Sequence, residues 1–121
     1  MKNDRILIAE DDEVIFLYLQ IILKSCDYQI IHARNGQEAV DYSRDNPIDL
    51  ILMDIQMPVM NGLDAILEIR KFNQSVPIIV QSAYTSDDNR EMSFKNGAND
   101  FITKPISKNE LLDKIRKYLA D

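Results

Sequence analysis

Five short apolar runs alternate with longer segments in which apolar residues recur at helical spacing. The runs are Ile6-Leu7-Ile8-Ala9, Gln29-Ile30-Ile31, Leu50-Ile51-Leu52-Met53, Pro77-Ile78-Ile79-Val80 and Asp100-Phe101-Ile102. Each is rich in β-branched residues and apolar on both faces, as strands buried under helices on either side should be. The segments between them carry helix punctuation. Asn35 before Glu38 and Ser107 before Glu110 have capping-box spacing, Gly97 suits a left-handed helix end, and Pro47 closes the second helix. The pattern predicts five successive β–α units. Strands joined by helices run parallel, and right-handed crossovers put helices on both faces of the sheet, giving an α/β fold. Ligands in such folds bind beyond the carboxyl ends of the strands, so functional residues are expected just after each run.

Those positions carry a recurrent chemistry. Glu10-Asp11-Asp12 follows the first run, Asp54 ends the third, Ser82-Ala83-Tyr84 follows the fourth and Thr103-Lys104-Pro105 the fifth. Three or four carboxylates brought to one edge repel, so they must take up protons or bind a cation. Oxygen-only ligands favour a hard ion, of which magnesium is the obvious choice. A metal beside a carboxylate, a lysine and a hydroxyl is suited to handling a phosphoryl group, and Asp54 is the plausible nucleophile, giving an acyl phosphate. Each residue alone has a plainer reading. An Asp at a strand end commonly caps a turn or helix, and the run Glu10 to Glu13 can cap the first helix and complement its dipole, as Asp12 is expected to do. Lys104 alone is a solvated lysine, and Ser82 alone a turn residue. Their coincidence at one sheet edge favours a site.

Composition narrows the picture. With 121 residues, 45% of them apolar, the chain is expected to form one domain over residues 1–121 around one core. One Cys and one His exclude an internal disulfide and a Cys/His zinc site. No apolar run approaches the ~20 residues of a membrane span, and no signal peptide opens the chain, so a cytoplasmic location without membrane insertion is expected. Fourteen basic against twenty acidic side chains, a net −6, argue against direct nucleic-acid binding. Met1 is compatible with a natural start, and the sequence does not separate a complete chain from an excised domain.

The chain resembles, over essentially its whole length, the receiver domain of response regulators in two-component signalling, of the chemotaxis-regulator-like kind. The carriers are Ile6 to Asp11, Asp49 to Pro58 (DLILMDIQMP), Asn61-Gly62, Ser82-Ala83 and Gly97 to Ile106 (GANDFITKPI). The resemblance implies a flavodoxin-like three-layer sandwich, with the five-stranded parallel sheet in the order 2-1-3-4-5 and five helices. It implies that Asp54 is the phosphoacceptor, supplied by a histidine of a histidine kinase or histidine phosphotransfer protein. Asp11 and Asp54 would ligate magnesium, Glu10 would contribute through a water, and the backbone carbonyl of Gln56 would complete the set. Lys104 would pair with the phosphoryl oxygens, and Ser82 would move inward to bond them. Phe101, three residues before Lys104, stands at the aromatic switch position; without the resemblance it reads as an ordinary core side chain. The surface of helix four, strand five and helix five would carry the output.

Some positions depart from the commonest pattern. Glu10 replaces the more frequent Asp, and Asn61 stands where Asp is common. Gln56 and Tyr84 flank the site, where they can screen or orient hydrolytic water. Ala9-Glu10-Asp11 and Asp54 to Met60 (DIQMPVM) are similar to receivers attached to hybrid sensor kinases, and a stand-alone phosphorelay receiver is equally compatible. Two rival functions bear comparison. A magnesium-dependent aspartyl-phosphate hydrolase would need a second Asp two residues after the nucleophile, where Gln56 stands. A degenerate receiver acting only as a binding module would not need Asp11, Asp54, Ser82 and Lys104 together. The expected chemistry is therefore that of a non-enzyme phosphoacceptor, limited to self-phosphorylation from small donors and self-dephosphorylation.

Helix one, from about Asp12 to Ser25, is more apolar than a surface helix requires. At about 100° per residue, Ile15, Tyr18, Leu19, Ile22 and Leu23 form its inward stripe. Phe16, Leu17 and Ile21 are then left for docking the partner's histidine-bearing helices; local packing, or a helix phase displaced by one residue, is the alternative. In the last helix Leu111, Leu112, Ile115 and Leu119 face inward, while Lys108, Lys114 and Lys117 stay wet. The fourth helix opens with the polar stretch Ser86 to Glu91, and weak packing there would suit an element that shifts. His32 is expected to lie away from the site, and Cys26 to be inert.

Overall fold

The computed structural model describes residues 4–83 and 87–119. Among these, five strands alternate with five helices. They are β1 (Arg5–Ala9), α1 (Glu13–Lys24), β2 (Gln29–Ala33), α2 (Gly36–Asp45), β3 (Leu50–Asp54), α3 (Gly62–Arg70), β4 (Ile78–Ser82), α4 (Asp87–Asn96), β5 (Asp100–Thr103) and α5 (Lys108–Leu119). All strand pairings are parallel, in the order β2-β1-β3-β4-β5, as the resemblance implied. Strand β3 ends at Asp54 as expected, while β2, β4 and β5 run further at their carboxyl ends than the apolar runs suggest. Asp54 pairs with Gln81 and Ser82 with Thr103, because the ladder needs backbone groups and not apolar side chains. Asp54 and Ser82 therefore belong to the sheet itself. Tyr84 and Ser86 lie outside the described residues.

Side chains alternate along each strand between two cores. Leu7, Ala9, Ile51, Met53, Ile78 and Val80 face one, against Ala39 and Val40 of α2 and Ala65, Ile66 and Ile69 of α3. Ile6, Ile8, Leu50, Leu52, Ile79 and Ile102 face the other, against Phe16, Leu19, Ile22 and Leu23 of α1 and Leu111, Leu112 and Ile115 of α5. Coverage on both faces is why the central strands read as continuous apolar runs. The helix starts follow the predicted caps with one shift. Asn35 Oδ1 accepts from Glu38 N at 2.8 Å, but the Glu38 carboxylate reaches back to Arg34 N, one residue beyond the capping-box position. Ser107 Oγ accepts from Glu110 N at 3.3 Å, and Gly97, at φ 124°, follows the last residue of α4. Asn46, held extended before Pro47, ends α2.

Two expectations are corrected. The buried face of α1 is Phe16, Leu19, Ile22 and Leu23, while Tyr18 is turned outward with its hydroxyl donating to the Ile106 carbonyl at 2.9 Å. The stripe is rotated by less than one residue, with Phe16 taking the place of Tyr18 while Leu19, Ile22 and Leu23 stay inward, because α1 is apolar nearly all round and such a pattern does not fix a helix phase. Phe16 is thus a core residue and unavailable for docking, whereas Leu17 and Ile21 are exposed. Lys114 does not stay wet: its Nζ lies 2.9 Å from Asp100 Oδ1. Helix α4 is as weakly packed as its sequence suggests, with only Ser93 fully buried among its described residues.

Asp100, at the amino end of β5, accepts from Lys114 Nζ and Phe101 N, each at 2.9 Å, and from Tyr118 Oη at 3.1 Å. Burial pushes its carboxyl up, but these hydrogen bonds outweigh burial and hold it below the ordinary carboxylate range. A carboxyl depressed in the folded state stabilises above its unfolded pKa of about 4, and that contribution is lost as pH falls through the folded value. Asp100→Asn should therefore cost about 1 kcal/mol at pH 7. Urea unfolding of both proteins at neutral pH and at about pH 3 should show the deficit closing at the acid end.

Candidate functional site

The carboxyl edge of the sheet gathers the predicted residues. Glu10 stands just past β1, Asp54 closes β3, Ser82 closes β4 and Lys104 follows β5. Glu10 is 1% exposed, Asp54 5% and Ser82 wholly buried. Lys104 Nζ lies 2.8 Å from Glu10 Oε1 and 3.4 Å from Asp54 Oδ2. The second Glu10 oxygen accepts from Asp12 N at 3.2 Å. Asp12 then caps α1 by accepting from Val14 N and Ile15 N, so the acidic run divides as expected into site residues and a helix start. Asp11 is exposed, and one ligand oxygen from each of Glu10, Asp11 and Asp54 lies within 4.8 Å of the others. Asp11 and Gln56 line a cavity of about 440 Å³ together with Met57, Pro58 and Asn61.

The charges at this edge do not balance. Burial first, and then the Glu10 charge, push the Asp54 carboxyl up to about 7 against the opposing pull of Lys104. Burial draws Lys104 down, but Glu10 and Asp54 outweigh it and hold its ammonium above the ordinary lysine value. One firmly charged ammonium therefore faces two buried carboxylates and a third beside them. An oxygen-only donor set short of positive charge fits a hard divalent cation.

The loop between β3 and α3 is pressed against this edge. Gly62 N donates to the Ile55 carbonyl at 2.8 Å, and a Cβ on Gly62 would stand 1.9 Å from the Asp54 carbonyl oxygen. No other residue fits there without moving the backbone of Asp54. Gly36 N grips the Met60 carbonyl at 2.9 Å, and Asn61 Oδ1 caps α3 by accepting from Asp64 N. Between these anchors Val59 adopts φ 69°, and Met60 N donates to the Pro58 carbonyl at 2.7 Å. A β-branched residue in a left-handed γ-turn is strained, and it persists because its surroundings over-determine it.

Glu10, Asp11, Asp54 and Lys104 come together as expected, and Gln56 shares a cavity with Asp11. Ser82 sits at the end of the neighbouring strand, its carbonyl accepting from Lys104 N at 2.8 Å. Phe101 is buried in the core against α3, with the Arg90 guanidinium 5.5 Å from its ring centroid. His32 is not remote: its Nε2 lies 2.8 Å from the Glu10 carbonyl oxygen. Gln81, the register partner of Asp54, is wholly buried, and its amide has no partner among the described residues. A lone glutamine at the end of an apolar run gave no signal in the sequence.

Three clustered carboxylates and a partly buried lysine at the carboxyl ends of five parallel strands define a class of doubly wound domain with an acidic site at its switch-point edge. A family model for the response regulator receiver domain matches residues 6–116, and the chain belongs to that family, the phosphoaccepting domains of two-component signalling. It is 35% identical over 96% of its length to the transcriptional regulatory protein ZraR of Klebsiella oxytoca, but spans only 25% of that protein. It is 32% identical to the polar-differentiation response regulator DivK of Brucella anthropi, with 96% of each chain covered. The receiver domain of sensor histidine kinase PA1611 from Pseudomonas aeruginosa, crystallised with magnesium coordinated in its active-site cleft, superposes with a TM-score of 0.92 at 30% identity, covering 99% of this chain and 100% of that one. The receiver domain of the Saccharomyces cerevisiae response regulator Ssk1, crystallised with the histidine phosphotransfer protein Ypd1, superposes with a TM-score of 0.89 at 30% identity, covering 96% and 88%. No helix among the described residues is long and apolar enough to cross a membrane.

A carboxyl raised by folding costs nothing below its unfolded pKa and destabilises increasingly as pH rises toward the folded value. Without divalent cations, Asp54→Asn should thus be more stable than the parent by on the order of 2 kcal/mol at pH 8. Thermal melts in EDTA should show that advantage shrinking as pH falls through about 7 and vanishing near about 4.

Proposed function

We propose that residues 1–121 form a single cytoplasmic receiver domain. In it Asp54 accepts a phosphoryl group from a histidine of a partner kinase or phosphotransfer protein with magnesium bound, and output is read from the face formed by α4, β5 and α5. The observation that carries this reading is the buried pair Glu10 and Asp54 sharing the ammonium of Lys104, beside a cavity lined by Asp11 and Gln56. Asp11, which has no hydrogen-bond or ion-pair partner among the described residues, would ligate directly with Asp54 and the Gln56 backbone carbonyl. Both Glu10 oxygens are already engaged, by Lys104 and Asp12 N, which supports contact through a water. Bound there, magnesium would neutralise charge on the phosphoryl oxygens.

In the transfer an Asp54 oxygen attacks phosphorus and forms the acyl phosphate. The bond from phosphorus to the donor histidine nitrogen breaks, its electron pair stays on the imidazole, and that nitrogen takes a proton. Lys104 can pair with a phosphoryl oxygen without leaving the pocket, and Ser82 supplies a hydroxyl from the adjacent strand. Phe101, buried on the strand beside Ser82 and met by Arg90 of α4, would couple this change to the output face. The hydrolase reading is disfavoured because Gln56, at the general-acid position, has no acidic proton to give.

Docking falls on α1. Val14, Leu17, Tyr18 and Ile21 recur at helical spacing and are 76%, 50%, 46% and 71% exposed. Val14 and Tyr18 were not among the docking residues expected from sequence. With Ile15, Pro105 and Ile106 they also line a second cavity, of about 610 Å³, that reaches Lys104. A histidine-bearing helix seated here would present its imidazole to Asp54.

Incubation with magnesium and acetyl phosphate should add one phosphoryl group by intact mass, and neither Asp54→Asn nor chelated protein should gain it. A folded parent that takes up neither acetyl phosphate nor a beryllofluoride mimic would instead favour a pure binding module. Leu17→Glu should slow transfer from a phosphohistidine partner by about tenfold or more, while labelling by acetyl phosphate stays at the parent rate. Parental transfer rates would remove Leu17 from the interface.

A further inference from the structure

The main chain of Glu10 is held from the edge strand at both its N–H and its carbonyl. Its N–H donates to the Ala33 carbonyl at 3.0 Å, which extends the β1–β2 ladder by one residue. Its carbonyl lies beyond the last strand bond and is met by His32 Nε2 at 2.8 Å. A carbonyl oxygen only accepts, so Nε2 carries the proton. His32 faces the α1 side of the sheet, where its ring stacks on Phe16 with centroids 3.6 Å apart and planes within 5°. The stack fixes the imidazole plane, and the plane fixes the direction of its N–H. The carbonyl so held belongs to the peptide that joins Glu10 to Asp11. Turning that peptide would swing the Asp11 carboxylate relative to Asp54.

We propose that His32 is a positioning residue for the cation site: it clamps the Glu10–Asp11 peptide through Nε2–H, and Phe16 of α1 holds its ring in place to do so. The proposal rests on the reading of Glu10, Asp11 and Asp54 as the magnesium site. His32 touches neither the cation nor the phosphoryl group, and it acts only through the backbone that carries Asp11.

Magnesium titration by calorimetry on the intact chain tests this with two substitutions of opposite design. His32→Phe keeps an aromatic face for Phe16 but removes the donor, and should weaken magnesium binding by about tenfold, the usual consequence of losing an outer-shell partner. His32→Gln loses the ring but can place an amide N–H where Nε2 stood, and should stay within about twofold of the parent. Equal losses in both variants, or parental affinity in His32→Phe, would overturn the proposal while leaving the magnesium site intact. A parent that binds no magnesium would instead overturn the reading of the site, and the proposal with it. A readout independent of folding in the variants is the imidazole nitrogen spectrum of the parent. The Nε2–H tautomer is expected, with an Nε2 shift that follows magnesium with the same midpoint as the Asp11 amide. An Nδ1–H tautomer would overturn the clamp.

Discussion

Glu10 and Asp54 are buried side by side with one ammonium between them, and the rest of the edge is arranged around that deficit. In water the two carboxylates would each be solvated and indifferent to one another. At 1% and 5% exposure they are not, and the result is an Asp54 carboxyl raised to about 7 and a Lys104 ammonium that stays charged. Such a site is relieved by adding positive charge, and the exposed Asp11 offers the open side on which to add it. It is also the setting in which a carboxylate oxygen becomes an effective nucleophile once a cation has displaced its proton.

The fold maintains the deficit by leaving the carboxylates nowhere else to go. Parallel strands end together at one edge, and apolar side chains fill both faces below it, so neither Glu10 nor Asp54 can turn toward water through the sheet. Above it the backbone closes in. Gly62 lets α3 approach the Asp54 carbonyl more nearly than any side chain would allow, and the Val59 turn holds the loop that lines the cavity. Strain at Val59 is tolerated because Gly36 and Gly62 anchor the loop on either side of it.

The strands were legible because burial on both faces leaves an unbroken apolar run, and the site was legible because its polar residues stand at the ends of those runs. What failed was information that apolar patterning does not hold. Helix α1 offers Ile15, Phe16, Leu17, Tyr18 and Leu19 in succession, so five residues compete for two or three inward places, and the sequence cannot say that Phe16 wins. Once inside, Phe16 stacks on the ring of His32, a residue of strand β2 far away in the sequence. His32 was missed for the same reason: its role depends on a carbonyl left over at a strand end, and a carbonyl has no letter in the sequence. The end of β3 at Asp54 was read correctly, whereas β2, β4 and β5 were set too short because the ladder continues through residues such as Ser82 and Thr103 by backbone pairing alone.

The helices differ in their freedom to answer a charge placed on Asp54. On one side α1 and α5 bury Phe16, Leu19, Leu23, Leu111 and Ile115 in a continuous core, so moving either helix would open cavities in it. On the other, α4 commits only Ser93 to full burial, and the exposed Arg90 meets the buried Phe101 ring at its guanidinium. Ser82 and Lys104 are joined through the Ser82 carbonyl, and Phe101 lies on the same strand that leads to Lys104. A pull on Ser82 or Lys104 toward a phosphoryl group would therefore reach the loosely packed α4 by way of Phe101. On the proposed reading, the direction of the response follows from this asymmetry of packing: tight helices keep the partner's docking surface constant, and the weak one is left to change.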